Sequence, residues 1–377
     1  MTTSKIITIN GRELTFENDE TILEVARRNG IEIPTLCHLK GTQPTGACRI
    51  CVVEVEGARN LMPACCTPAA DKMVVRTESP QVVAARRLII QLMLASGNHN
   101  CAIRGSDNQD WTAFQLKVQE EDGSSDLCPV WGDCRLQDLA YRYQVSGERF
   151  DATVNRYPIE DVNPFIVRDF SRCILCGRCV QACCEVQVNN AISFGYRGPF
   201  SKIIAAGDRP LKDSDCVFCG ECVQVCPVGA LVEKEARYRV RPWETGKVRT
   251  TCTYCGVGCQ ILLHVKDGKV VKVTGVPDSP PNHGSLCVKG RFGFDFINSE
   301  KRLTKPLIKE NGKFREADWD EALDLVAGRF REIVEKNGSE SVGVLTSARV
   351  TNEENYIANK FARAVLKTNN IDHCARL

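Results

Sequence analysis

One cysteine pattern occurs twice in this chain and limits its possible folds more than any other stretch. Cys173 to Cys183 reads CILCGRCVQAC and Cys216 to Cys226 reads CVFCGECVQVC, each with the spacing C-x2-C-x2-C-x3-C. Three thiolates so close together wrap a loop around one corner of an iron–sulfur cube, while the fourth points away and ligates a neighbouring cube. That logic assigns Cys173, Cys176, Cys179 and Cys226 to one [4Fe–4S] cluster, and Cys216, Cys219, Cys222 and Cys183 to a second. Zinc also binds C-x2-C knuckles, but a repeated triple knuckle suits a tetrahedral ion poorly. A segment built this way conducts electrons, and the remainder of the chain determines what it connects.

Composition narrows the setting. The chain holds 22 cysteines and a net charge of +2. No apolar leader precedes the first strand-like residues and no run is long enough to span a membrane, so a reducing cytoplasm is expected, with thiols serving metals rather than disulfides. The balanced charge gives no footprint for nucleic acid or for a membrane surface. Several segments are too small to bury a large core, so bound clusters are expected to supply much of their folding free energy. The expected class is a multidomain α+β protein.

Residues 1–78 form the first expected module. Lys5–Asn10 and Glu13–Glu17 alternate apolar and polar around Asn10-Gly11, a hairpin signal. Thr21–Arg28 reads as a helix stopped by Gly30, and Cys51–Glu56 and Met73–Thr77 as further strands. Cys37, Cys48, Cys51 and Cys65 follow the spacing C-x10-C-x2-C-x13-C. This combination resembles a β-grasp [2Fe–2S] ferredoxin, in the form carried by the large peripheral subunit of complex I, iron-only hydrogenases and NAD-linked formate dehydrogenases. The resemblance implies that these four cysteines hold a [2Fe–2S] cluster. Cys66 is left over and reads as a small buried residue.

Ser79-Pro80 opens a helix running to about Ser96, with Gly97 ending it, in an expected module spanning 79–140. His99, Cys101, Cys128 and Cys134 follow. The same families carry a His/Cys3 [4Fe–4S] site here, which implies these four residues as ligands. The front of that motif departs from the family spacing, and residues 102–127 read as a polar insertion, tolerable because loop length costs little entropy. An exposed histidine at the negative end of a helix dipole is the alternative reading of His99.

Residues 141–240 comprise a connector and the double-cluster segment, which resembles a bacterial 2[4Fe–4S] ferredoxin; Pro227 after the last cysteine fits that pattern. Cys184 is spare, and RPWETGK reads as a linker. Cys252, Cys255, Cys259 and Cys287 lie in residues 248–303, where short strands at Gln260–Val265 and Val270–Thr274, turned at Asp267-Gly268, are expected to hold the site. The stretch resembles the first domain of molybdenum or tungsten bis-pterin oxidoreductases, implying a fourth [4Fe–4S] cluster beside the pterin and an electron relay and cofactor contact at Lys289. Residues 304–377 begin an α/β domain. There Asp318 and Thr351 cap amphipathic helices, and Ser341–Thr346 reads as a buried strand.

The final KFARAVLKTNNIDHCARL is very similar to formate dehydrogenase catalytic subunits, in which the next residue is selenocysteine or cysteine. The expectation is a chain interrupted at a selenocysteine codon after Leu377, with no catalytic residue inside it and Cys374 an inert thiol. The resemblance implies one [2Fe–2S], four [4Fe–4S] and, in the full-length protein, a molybdenum or tungsten bis-pterin guanine dinucleotide. It implies oxidation of formate to carbon dioxide, with electrons passing from the Cys252 site through the ferredoxin pair, then the His-ligated site, to the [2Fe–2S] centre. A flavin-bearing NAD(P) iron–sulfur subunit, a ferredoxin or a hydrogenase would accept them. The alternatives are a non-catalytic iron–sulfur subunit resembling the large peripheral subunit of complex I, expected to lack the eight-cysteine segment and the NNIDHCARL end, and an iron-only hydrogenase.

Overall fold

A computed structural model describes residues 5–97, 99, 101, 128–145, 150 and 157–374. The chain divides into two compact units, Met1–Gly246 and Lys247–Leu377. The proposed insertion at 102–127 lies outside the described residues.

In the first unit, β1 (Ile6–Ile9) and β2 (Arg12–Thr15) pair antiparallel. Asn10 and Gly11 turn the hairpin with φ of 51° and 79°, the twist that suits tightly joined strands. Helix α1 (Ile22–Arg28) starts at a reciprocal capping box between Thr21 and Glu24. Strands β3 (Val52–Val55), β4 (Met62–Pro63) and β5 (Val74–Arg76) complete a sheet of order β2-β1-β5-β3-β4. Ile7, Ile9, Val53 and Val75 from the sheet and Ile22, Leu23 and Val25 from α1 form its core.

Helix α2 (Pro80–Ala95) is capped by Ser79, whose side chain accepts from the Val82 amide. It buries Val82, Arg86, Ile90 and Leu94, a single stripe at four-residue spacing. It is followed by α3 (Arg135–Arg142), β6 (Ile166–Arg168), α4 (Arg178–Gln181), β7 (Ile192–Gly195), β8 (Lys202–Ala205), α5 (Glu221–Val225) and β9 (Leu231–Glu233). β6 pairs with β9, and β7 with β8, all antiparallel. One core joins Leu36 and Ile50 to Ile90, Leu94, Leu136, Leu139 and Val228, so segments expected as separate modules share an interior. The RPWETGK segment is more than a linker: Arg241 is buried and Pro242–Glu244 forms a helical turn.

In the second unit, β10 (Gly246–Thr251), β11 (Gln260–Lys266) and β12 (Lys269–Gly275) form a three-stranded sheet, and α6 (Val288–Phe292) follows Cys287. β13 (Leu307–Glu310) and β14 (Lys313–Glu316) make a hairpin that the sequence reading passed over, although Asn311-Gly312 signals it. Helix α7 (Trp319–Asn337) begins where Asp318 accepts from the Glu321 amide. Its apolar face (Ala322, Val326, Phe330, Ile333 and Val334) contains no buried residue among those described. β15 (Val344–Thr346), α8 (Asn352–Lys360) and β16 (Ile371–His373) make a crossover unit in which β15 and β16 run parallel. Leu345 is 87% exposed, so Ser341–Thr346 is not the buried strand expected. Parallel strands normally need cover on both faces, and Leu345 has none on its side. β16 escaped the sequence reading because Ile371 is its only apolar side chain. Among the described residues no helix is long and apolar enough to cross a membrane.

Candidate iron–sulfur centres

Cys37, Cys48, Cys51 and Cys65 are all buried, and they gather as two pairs. The Cys48 amide donates to Cys37 Sγ at 3.5 Å, and the Sγ atoms of Cys51 and Cys65 lie 3.3 Å apart. A hydrogen bond from Cys48 pulls the Cys37 thiol down to about 5, and one from Cys65 pulls Cys51 down to about 7. The partner thiols Cys48 and Cys65 move up for the same reason. Two pairs, each with one easily ionised sulfur, match a two-iron cluster that takes two thiolates per iron. Cys66 is half-buried rather than buried, with Sγ 3.4 Å from that of Cys65.

His99 ends the turn after α2, beneath Gly97. A Cβ on Gly97 would come within 2.7 Å of His99 Nε2, so only glycine fits there. Nε2 is buried and meets no hydrogen-bond partner among the described residues. Burial and the charge of Arg172 lower the imidazole to about 4, which keeps it neutral, the form a metal needs. Cys101, Cys128 and Cys134 are buried electrostatic neighbours, their thiols pushed up by burial, Cys134 to about 12. An orphaned buried nitrogen two residues from Cys101, with Arg172 as an electrostatic neighbour in common with Cys101 and Cys128, fits a cluster ligand, because a buried polar atom without a partner is otherwise costly. The exposed-histidine reading of His99 does not match this burial.

The double repeat folds as two like loops. Leu175 and Phe218 adopt φ of 52° and 53°, and Gly177 and Gly220 adopt 77° and 72°. These turns aim the Leu175 amide at Cys173 Sγ and the Phe218 amide at Cys216 Sγ, each at 3.4 Å. Cys179 neighbours Cys173, Cys176, Cys226 and then Cys222, whereas Cys216 neighbours Cys219 and Cys183. The fourth cysteine of each run therefore sits with the other run's triplet. A cavity lined by Cys173, Cys176, Cys179, Cys222 and Cys226 lies among apolar side chains including Ile174, Ile192 and Val228. Burial pushes Cys173 to about 11 and Cys176 to about 12, so binding a cluster here must release protons.

Contacts within the first unit tie these centres together. Gln181 Nε2 donates to the Gln43 carbonyl at 2.5 Å, and the Gln43 amide donates to Glu185 at 2.9 Å. These bonds fasten the Cys37–Cys48 loop onto the helix carrying Cys179. Arg178 is an electrostatic neighbour of Cys37, Cys176 and Cys226. The Cys173 site thus adjoins the Cys37 site directly, and through Arg172 it adjoins the His99 site. The Cys37 site also shares a core with the His99 site, since Leu36, Cys37, Cys48 and Ile50 pack with Cys101, Cys134 and Leu136.

In the second unit Cys259 is an electrostatic neighbour of Cys252, Cys255 and Cys287. The Cys252 amide donates to the Cys259 carbonyl at 2.8 Å, closing the loop. Lys289 is exposed on α6, while Arg291, which the sequence reading passed over, is fully buried one turn from Cys287. Cys184 is exposed.

Cys374, expected to be inert, is exposed, and its thiol is lowered by the Ser347 hydroxyl and the Ala348 amide, both 3.4 Å away. Its alkylation by iodoacetamide is expected to reach half its maximum rate below the ordinary thiol value of about 8.5. Ser347→Ala should move that midpoint back up, read by mass spectrometry of the modified peptide across pH.

Comparison with known proteins agrees with this arrangement. Residues 5–80 match the 2Fe-2S iron-sulfur cluster binding domain and 172–230 the 4Fe-4S dicluster domain. Residues 245–299 match the molybdopterin oxidoreductase Fe4S4 domain and 302–377 the molybdopterin oxidoreductase domain. The chain therefore belongs to the molybdopterin oxidoreductase family, with [2Fe–2S] and [4Fe–4S] domains ahead of the start of the pterin-type domain. It is 38% identical over 371 residues to the alpha subunit of the NADPH-Fe(3+) oxidoreductase of Geobacter sulfurreducens, covering 98% of this chain and 40% of that one. It is 34% identical over 411 residues to a putative formate dehydrogenase of Bacillus subtilis, covering 98% and 39%. It is 36% identical over 372 residues to a subunit of the NADH-quinone oxidoreductase of Rhizobium meliloti, covering 98% and 40%. The chain spans about 40% of the length of the curated relatives it matches. A crystal structure of NAD+-reducing [NiFe]-hydrogenase in the H2-reduced state superposes with a TM-score of 0.53 at 30% identity, covering 63% of this chain and 91% of that one.

Proposed function

We propose that this chain is the electron-conducting front of a formate dehydrogenase catalytic subunit, holding one [2Fe–2S] and four [4Fe–4S] clusters. The observation that carries the reading is the unbroken order of a [2Fe–2S] domain, a dicluster domain and both molybdopterin oxidoreductase domains in one polypeptide. The clusters, when bound, each take up and pass on one electron at a time. The chain's own residues bury the thiolate sites, aim backbone amides at the sulfurs and dock one cluster loop on the next, which shortens the path and lowers reorganisation. Lys289, exposed beside Cys287, is the proposed contact to a molybdenum or tungsten bis-pterin guanine dinucleotide. A flavin-bearing NAD(P) subunit, a ferredoxin or a hydrogenase is the proposed acceptor, and the cytoplasm the proposed compartment.

The Rhizobium meliloti relative supports a second reading, a non-catalytic iron–sulfur subunit. Its alignment covers 98% of this chain. The test is metal analysis and formate-dependent viologen reduction by the whole polypeptide to which these residues belong. Molybdenum or tungsten with formate-dependent reduction supports the first reading. Iron alone, with clusters reduced by NAD(P)H through a partner and not by formate, establishes the second.

A further inference from the structure

We propose that two buried guanidiniums, Arg172 and Arg241, set the reduction potential of the His99/Cys101/Cys128/Cys134 centre, raising it above what its ligands alone would give. The proposal rests on the reading that these four residues hold a [4Fe–4S] cluster. Arg172 is 2% exposed and is an electrostatic neighbour of His99, Cys101 and Cys128. It comes from the turn after Asp169, whose carboxylate accepts from Arg172 Nε at 3.0 Å and fixes its direction. The same turn packs against the His99 corner, with the Ser171 carbonyl 2.9 Å from where a Gly97 Cβ would stand.

Arg241 reaches the centre from the opposite end of the unit. Its Nη1 donates to the Cys128 carbonyl at 2.8 Å, across 113 residues of sequence. Its Nη2 is buried without a hydrogen-bond partner among the described residues. The Trp243 ring lies against Gly132 of the Cys128–Cys134 loop and holds the turn in place. A lone buried guanidinium nitrogen is costly unless an anion offsets it. A cube held by three thiolates and a neutral imidazole is such an anion, and adding one electron makes it more negative. Asp169 and Glu244 lie beside these cations, but Arg172 and Arg241 both act on Cys128 more strongly than Asp169 does, so the pair stabilises the reduced state in an interior where charges act strongly. One electron enters the cluster and no proton moves, because guanidinium stays charged.

The test is a redox titration followed by electron paramagnetic resonance on the cluster-loaded protein. His99→Cys identifies the signal of this centre, and if no signal responds to it the ligand reading itself fails. With the signal identified, Arg172→Gln and Arg241→Gln should each lower its midpoint. The expected effect is roughly a tenfold fall in the reduced-to-oxidised ratio at fixed potential, about 59 mV for one electron. In Arg241→Gln the other signals should not move, in Arg172→Gln the [2Fe–2S] signal should not move, and Arg172→Lys and Arg241→Lys should largely restore the midpoint. Asp169→Asn should shift it the opposite way, and this decides the matter if a glutamine variant loses iron. Midpoints unchanged in the glutamine variants, or in Asp169→Asn where those variants lose iron, overturn the proposal and leave the ligand reading standing.

Discussion

Cys226→Ser is expected to remove the cluster of the first cysteine run, not of the run in which Cys226 lies. In the structure Cys226 neighbours Cys173, Cys176 and Cys179. Cys183 is the corresponding exchange, grouped with Cys216 and receiving the Ala191 amide on its Sγ at 3.3 Å. Each substitution should cost about four irons per chain, the content of one cube, and should leave the other cube spectroscopically intact. Cys226→Ser should also interrupt reduction of the [2Fe–2S] centre, because the Cys173 site is the one its loop docks on. Loss of the Cys216 signal in place of the Cys173 signal would show that each run closes on itself. Iron analysis with electron paramagnetic resonance on both variants separates the outcomes.

Arg86→Leu is expected to destabilise the first unit by about 3–5 kcal/mol, the range for removing one partner of a buried charged network. The Arg86 side chain is 0% exposed in the interior of α2. Nε donates to the Ile50 carbonyl and Nη2 to the Val52 carbonyl, both at 2.9 Å. Nη1 reaches Glu78 and the Tyr143 hydroxyl, both at 2.7 Å. One side chain thus ties β3, α2 and α3 together and satisfies carbonyls that leucine would leave unpaired. Glu78 is 40% exposed, so most of the loss comes from the carbonyls and Tyr143 rather than from the ion pair. For a unit of this size the shift in thermal midpoint should be roughly 6–20 °C. A shift of a degree or two by calorimetry of the cluster-loaded protein would show that the clusters, not Arg86, hold these elements.

Much of the fold is legible in the sequence because its signals are local. Asn10-Gly11, the Thr21/Glu24 capping box and the Ser79-Pro80 start all encode their turns within a few residues, and the structure has each of them. β16 is missed because a three-residue strand draws its identity from its parallel partner β15 rather than from its own pattern. The segment at Arg241 looks like a linker because a single arginine in a Pro/Gly-flanked stretch has no periodic signal.

For the double repeat, spacing along two short loops is enough to propose which sulfurs share a cube, whereas the Cys37, His99 and Cys252 sets rest on a family resemblance. The surroundings of each set are not legible in this way. Gln43 on Gln181, Arg172 beside His99 and Arg241 on Cys128 all join residues far apart in the chain. Ligation is a short-range chemical requirement that a spacing can encode. Which centre adjoins which, and what charge faces it, depends on electrostatics and packing acting through space, and those are settled only when the core closes.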